Sequence, residues 1–278
     1  MADSSKTLRR YGRQTVLQIF AIIVTFACVA PIALIVFASF RDVHTFNDLS
    51  LSFSGWSLAG YQQLFALGTI QTWLFNTVLV STVGTVLTVL VDLMAAFAFS
   101  KLKWRGRDSV FLLLISTMML PFSVTLVPTY LIANSLGLTD NYAALILPGL
   151  SAPLGTFLLR QFVRGIPDEL LESARVDGAS NARIFVSMIV PLSAQPMAVL
   201  AILTFVANWN NFLWPLLVIQ TDSLKTLTVG LATTSTEFSV DLSSLTATTV
   251  ISLVPMAILF FAFQRYFLRG VTAGAVKG

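Results

Sequence analysis

The residue types that most often do chemistry are scarce in this chain. Its 278 residues include one cysteine, Cys28, and one histidine, His44. One cysteine excludes an intramolecular disulfide, and the pair leaves too little material for a metal centre or a histidine-based catalytic site. No Gly-x-x-x-x-Gly-Lys-Ser/Thr loop occurs; the Lys-Thr pairs at Lys6 and Lys225 lack the preceding glycine. The chain therefore has no phosphate cradle for ATP. Two polar features remain. Thr204, Asn208 and Asn211 recur at spacings of four and three, one helical stripe, with Trp209 and Trp214 nearby. Amides and indole rings suit a sugar, whose hydroxyls need hydrogen bonds and whose faces stack on aromatics. The same residues also fit hydrogen bonds between helices and an aromatic belt at a membrane interface. The second feature is Asp92, an acid inside an apolar run. At a bilayer centre it would cost roughly 3 kcal/mol, so it is expected to face a bundle interior or water, or to lie near the inner interface, as a structural pair rather than a proton relay.

The elements that must position these residues are long and apolar. The chain is 56% hydrophobic and 11% charged, with a mean hydropathy of +0.82. A soluble domain would carry about a quarter charged residues, so most of this surface must meet lipid. A hydrocarbon core of about 30 Å needs roughly 20 apolar residues as helix. Six segments qualify: Val16–Phe40, Trp73–Ser100, Val110–Ala133, Tyr142–Phe162, Met188–Ile219 (starting nearer Ala194) and Thr246–Phe267. Thr25, Phe26, Ala27 and Cys28 hint at a lipoprotein cleavage box, but the apolar run continues to Phe40 and Pro31 sits awkwardly for a cut. An uncleaved span is expected.

Charge sets the orientation. Lys6, Arg9, Arg10 and Arg13 precede the first span; Lys101, Lys103, Arg105 and Arg107 follow the second; Arg160, Arg164, Arg175 and Arg183 follow the fourth; Arg265, Arg269 and Lys277 end the chain. Only Arg41 and Lys225 fall on the other side. Basic residues are retained in the cytoplasm, so both termini are expected there. Spread between apolar runs, these residues are topology signals rather than a nucleic-acid patch. Pro121, Pro128, Pro148, Pro153 and Pro255, with Gly149 and Gly155, predict kinked spans, which suit a pathway or a moving bundle as well as a passive one. The expected organisation is an all-α polytopic membrane protein. Its parts are an N-terminal tail over 1–15, a six-helix domain over 16–267 and a C-terminal tail over 268–278. The domain includes a cytoplasmic loop over about 163–190 and an outer loop over about 220–245.

The cytoplasmic loop is built to fold. Pro167 suits a first helical turn, and Asp168 and Glu169 follow where the helix dipole favours acids. Leu170, Leu171, Ala174 and Val176 predict a short apolar face, and Gly178 offers the left-handed stop. Ser180 or Asn181 can cap a second helix through Ile184, Phe185, Met188 and Ile189 that runs into the fifth span. This predicts a helix–turn–helix at the membrane surface, either a docking element for a cytoplasmic partner or an interfacial hairpin.

Glu172, Ser173, Ala174, Arg175, Val176, Asp177, Gly178 and Ala179, followed by Phe185, Ile189, Pro191, Leu192 and Pro196, resemble the EAA loop of binding-protein-dependent ABC importer permeases. Ser173 departs from the usual alanine and Val190 from leucine; both changes keep helix and apolarity. The run Asn208–Pro215 and the C-terminal stretch from Gln264 are similar to the carbohydrate-uptake branch, specifically the second permease subunit of maltose-type transporters. The resemblance covers nearly the whole chain. It implies a heterodimer with a second permease, two ATPase subunits that bind ATP and Mg, an extracytoplasmic solute-binding protein, and a bacterial inner membrane around the assembly. It further implies that Glu172, Ser173, Ala174, Asp177, Gly178 and Ala179 dock into the ATPase, and that Gly274, Ala275, Val276, Lys277 and Gly278 form a second contact with it. The outer loop would reach toward the binding protein, and this chain, with no cofactor or metal of its own, would not be an enzyme. The rival class is an ion-driven secondary transporter or channel, which predicts intramembrane charges in several spans; Asp92 is the one clear case.

Overall fold

The computed structural model describes residues 2–42, 55–66, 68–237 and 242–275, with side chains over 14–42, 55–66, 68–233 and 242–262. Among the described residues the chain is helical, without a strand; Arg41 and Trp56 form a single antiparallel bridge. Three helices are long and apolar enough to cross a membrane. Three further pairs qualify together but are bent at a short break, giving six spans if each pair is one.

The chain forms two compact units. The first contains α1 (Ala2–Ser39), α2 (Ala59–Ala66) and the start of α14 (Leu242–Ala275). The apolar side chains of α1 from Val16 to Val29 are exposed, Cys28 among them, as lipid or a partner helix requires. Because α1 is already helical at Ala2, the stretch expected as an N-terminal tail continues the helix of the first span. The rest of the unit is held by polar contacts: Tyr61 donates to Ser39 at 2.9 Å, Ser243 to the Arg41 carbonyl at 3.3 Å, and Ser244 to the Gln63 side chain at 2.9 Å.

The second unit is organised by α3 (Thr69–Lys101). Its packing inverts that of a soluble helix. Thr77, Ser81, Thr85, Thr88 and Asp92 follow one another at spacings of four and three and are all buried, while Phe75, Val86, Leu90 and Met94 face outward. Lipid is as apolar as leucine, so helix association comes from close packing and polar contacts, and the polar stripe turns inward. Against it lie α7 (Pro153–Arg164) and α11 (Ala194–Trp209).

The expected kinks divide: Pro128 and Pro255 lie inside continuous helices, while other sites are full breaks. In the third span α4 (Arg107–Ser116) and the turn to Met119 meet α5 (Phe122–Ser135) at 108° across Pro121. In the fourth, α6 (Tyr142–Ile146) and its 3-10 turn meet α7 at 47°. The fifth span is not continuous with the loop helix before it. α9 (Asn181–Ile184), a π-helical turn over Phe185–Ile189 and α10 (Val190–Leu192) bend by 76° into α11. α11 stops at Trp209, and α12 (Leu213–Val218) is a separate short helix. Proline removes a ladder hydrogen bond and clashes with the preceding turn, so these sites break wherever other groups accept the freed backbone. The outer loop is also more regular than expected, with a 3-10 turn over Asp222–Leu224 and α13 (Leu227–Glu237).

Candidate functional site

The loop after the fourth span contains α8 (Asp168–Val176), and its local chemistry explains both ends. Pro167 stands at the N-cap, and Asp168 and Glu169 occupy the first turn. At the far end Gly178 has φ +81°. Its N–H donates to the Arg175 carbonyl at 3.0 Å, while Ala179 N–H reaches back to the Ala174 carbonyl at 2.9 Å. This pair of hydrogen bonds is a Schellman stop, and the left-handed residue it needs is the glycine. Ser180 then caps α9, its hydroxyl accepting from Arg183 N–H at 3.3 Å.

Leu171 is buried, and Ala174 and Ala179 pack beside it against Phe97, Leu159, Val163 and Ile184. The predicted apolar face is therefore split, because Leu170 is exposed and Val176 is 87% exposed. Val176 lies off the face of Leu171 and Ala174 by helical geometry, whereas Leu170, four residues before Ala174, sits at its edge and is left outside the packing. Glu172, Ser173, Asp177 and Gly178 are on the exposed side. The Ser173 hydroxyl donates to the Leu170 carbonyl at 3.0 Å, so replacing alanine with serine leaves no unmet polar group.

What ties this loop to the bundle was not legible in the motif. The Lys101 ammonium, at the end of α3, donates to the Ile166 carbonyl at 2.5 Å and the Arg164 carbonyl at 3.4 Å, and pairs with Asp168 at 2.7 Å. The Asp168 carboxyl is held below its ordinary range, first by that hydrogen bond and then by the lysine charge. Nine residues earlier on α3, Asp92 does the matching work at the other end of α7. Its Oδ1 accepts from Thr156 Oγ1 at 2.8 Å and from Ala152 N–H at 3.2 Å. A carboxylate at the N-terminus of α7 and an ammonium at its C-terminus both complement the helix dipole. Gly155 makes this approach possible, since a Cβ there would collide with the Asp92 carboxylate. Asp92 thus has the structural partner expected of it.

The pathway candidates divide. Asn208 is half-buried, with its amide over Gly84 of α3; Thr204 is half-buried on the same helix. Asn211 does not continue their stripe, because α11 ends at Trp209 and Asn211 lies in the turn that follows, its carbonyl accepting from Thr228. Trp209 stacks on Phe205, and Trp214 donates to the Ala144 carbonyl at 2.8 Å; both indoles are buried within the chain. Gly274 and Ala275 form the end of α14, while Val276, Lys277 and Gly278 lie outside the described residues, as does His44. Among the described residues there is no cluster able to hold a metal.

A second hub, unannounced by any motif, lies at the opposite end of α3. Asn76 donates to the Ser223 and Lys225 carbonyls at 2.8 and 2.9 Å and accepts from Tyr142 at 2.7 Å. Trp73 donates to the Asp222 carbonyl, and Thr77 accepts from Leu227 N–H. Asp140, at φ +57°, accepts from Gln220 N–H, Thr221 N–H and the Thr221 hydroxyl, which hold its carboxyl below the ordinary range, the hydroxyl most strongly. The only sequence signal was an asparagine inside an apolar helix.

Comparison with known proteins places this arrangement. Residues 89–273 match the family described as binding-protein-dependent transport system inner membrane component. The arabinooligosaccharides transport system permease protein AraQ of Halalkalibacterium halodurans is 37% identical, over 92% of this chain and 93% of that protein. The lactose transport system permease protein LacG of Rhizobium radiobacter is 32% identical, over 73% of this chain and 74% of its own length. Among solved structures, a bacterial ABC transporter involved in the import of the acidic polysaccharide alginate has the same fold. Its TM-score is 0.83 at 23% identity, covering 93% of this chain and 97% of that one.

Proposed function

We propose a function from one premise: the chain belongs to the binding-protein-dependent transport system inner membrane components. It is a multi-pass membrane permease subunit of an ABC importer. It works with a second permease, with ATPase subunits and with an extracytoplasmic binding protein. Its substrate is a sugar or sugar-like solute (an oligosaccharide, polyol or glycerophosphodiester included), a reading supported by relatives named for arabinooligosaccharides and lactose. The charge distribution supports placing both termini, and the loop bearing α8, in the cytoplasm.

The observation that carries the mechanism is the mounting of α8. Around its exposed side Glu172, Ser173, Asp177 and Gly178, with the half-buried Ala174 and Ala179 at their edge, meet an ATPase. Its buried side, through Leu171 and Ala174, grips α3 and α7. ATP and Mg bind to the ATPase subunits, and this chain hydrolyses nothing. Closure of the ATPase pair pushes α8, and Lys101 with the apolar contacts passes the displacement to α3. Because Asp92 and Lys101 hold α7 at both ends, α3 and α7 move together. Thr204 and Asn208 face the pathway, with Asn211 in the turn beyond and Trp209 and Trp214 supporting its wall. The C-terminal residues Gly274, Ala275, Val276, Lys277 and Gly278 add a second ATPase contact.

The test is reconstitution. The chain alone in proteoliposomes should show neither ATPase activity nor uptake. The chain copurified with its second permease and ATPase, and supplied with the binding protein, should import an oligosaccharide only with ATP. Gradient-driven uptake by the chain alone would instead establish an ion-coupled transporter.

A further inference from the structure

Beside the loop bearing α8, on the α4 side of α7, Arg107, Arg160 and Arg164 converge with Phe99, Phe111 and Leu112 around a pocket of about 420 Å³. An adjoining pocket of about 400 Å³ shares Arg107 and adds Lys103 and Trp104. Four cations therefore meet here, and the acid lining either pocket is Asp108. One oxygen of Asp108 serves two of them at long range, with Arg107 Nε and Arg160 Nη2 each 3.4 Å away. Asp168 feels the charge of Lys103 as well as that of Lys101, so the imbalance is carried by the three arginines, which face the exposed carboxylate of Asp108.

Arg160 is not a loose surface cation. Its side chain is 11% exposed, its Nε donates to the Phe99 carbonyl at 3.3 Å, and its guanidinium carbon lies 3.8 Å from the centre of the Phe111 ring. A guanidinium held this way is costly to bury without a full counter-charge. The pocket wall continues onto α4, where Leu112 and Leu113 are 69% and 68% exposed, the kind of surface that acyl chains cover. A fitting ligand is anionic at one end, with oxygens suited to a guanidinium fork, and apolar at the other.

We propose that this pocket binds the phosphate headgroup of an anionic phospholipid, with the acyl chains lying along α4. Basic pockets between membrane helices on the cytoplasmic side have the chemistry for such headgroups. Naming the inner leaflet as the source rests on the orientation given under Proposed function. The lipid would balance the arginines around α7 beside the loop bearing α8, so inner-leaflet composition would bear on how α8 is held.

The test uses the complete transporter in detergent, stripped of lipid and titrated with phosphatidylglycerol or phosphatidylcholine, bound lipid being read by native mass spectrometry. Phosphatidylglycerol should be retained in preference to phosphatidylcholine, and excess inorganic phosphate should not displace it. The double variant R107Q/R164Q should weaken phosphatidylglycerol by about 25-fold, since each basic residue near an anionic headgroup contributes roughly fivefold. R160Q should weaken it too, but Arg160 also packs on Phe111, so the double variant is the deciding measurement. Equal retention of the two lipids, or an unchanged double variant, would overturn the proposal. Full displacement by inorganic phosphate would make this a free-phosphate site and overturn the lipid assignment. Detergent titration does not depend on orientation, which labelling of Lys103→Cys in sealed vesicles reports separately.

Discussion

The two ends of α3 each hold a loop, and they hold it differently. At the outer end, Trp73, Asn76 and Thr77, all short or rigid and all buried, fix the backbone over 222–227, with Tyr142 and Asp140 closing the arrangement. At the inner end one long side chain, Lys101, makes the hydrogen bonds to the Arg164 and Ile166 carbonyls and to Asp168, and the rest is chiefly apolar packing by Leu171, Ala174 and Ala179. The outer loop is mounted, with direction set by many neutral bonds. The inner loop is hinged on one charge and a greasy face, which suits an element that a partner must push. On the orientation proposed above, this gives a fixed surface on the side where a binding protein arrives and a lever on the side where work is delivered.

Breaking the outer hub should have the largest effect. Asn76→Asp removes the donor for two carbonyls and places a charge among acceptors at a fully buried site. The expected cost is more than about 3 kcal/mol, the scale of an uncompensated buried charge. It should appear as failure of the subunit to accumulate in the membrane. Recovery of wild-type levels would mean the outer loop is not mounted through Asn76.

Lys101→Met keeps the length and apolar stem but removes the three polar contacts that Lys101 makes with the inner loop. The loss should be about 2–3 kcal/mol, the worth of a charged hydrogen bond to buried carbonyls, read as a lowered thermal midpoint of the purified complex. The sharper readout is functional: ATP hydrolysis should persist while uptake falls, because α8 still docks but no longer carries α3. High salt should mimic this variant in part through the exposed Asp168 partner, and should leave the outer hub untouched. Equal loss of hydrolysis and uptake would count against a lever.

These two residues also show where the sequence stops being legible. The six spans, the charge bias and the α8–Gly178–α9 turn follow from local patterns, because apolar length, proline, acids and a left-handed stop act within a few residues. Asp92 was identifiable as an acid out of place, but not as the cap of α7, since its partners Ala152 and Thr156 come from another span. Lys101 read only as one of several topology signals. Asn211 joined a stripe by spacing, and the helix ended before it. At that end the Asn210 amide donates to the Val206 carbonyl and the Asn211 carbonyl accepts from Thr228, contacts that no periodicity reports. Prolines marked the bends at 121 and 148–153, but Pro128 and Pro255 stay inside helices, because a freed carbonyl kinks or breaks a helix according to which neighbour accepts it.

Acid separates the two ends without mutation. The carboxyls of Asp140 and Asp168 are both held below the ordinary value near 3.8. Each therefore adds stability that is fully present above that value and is lost as pH falls through the lower folded value. At the outer end Asp140→Asn should remove this acid-dependent part and expose whatever remains from Asp168. The thermal midpoint of the variant should fall less steeply below about pH 4 than that of the wild type. Parallel curves would show that Asp140 does not latch the outer loop.

The smallest effect belongs to the turn that gives the inner loop its shape. Gly178 has φ +81° and nothing within 4 Å of where a Cβ would sit, so its requirement is conformational rather than steric. Gly178→Ala should cost about 1 kcal/mol, the penalty of a left-handed alanine, and Gly178→Asn less, since asparagine visits that region more readily. Both should fold and assemble with the second permease. If the exposed side of α8 is the ATPase contact, the added side chain lies on it, and Gly178→Asn should lower ATPase copurification more than its small stability loss allows. A variant that loses stability and partner binding in proportion would return Gly178 to the role of a plain helix stop. The lever would then rest on Lys101 and Leu171 alone.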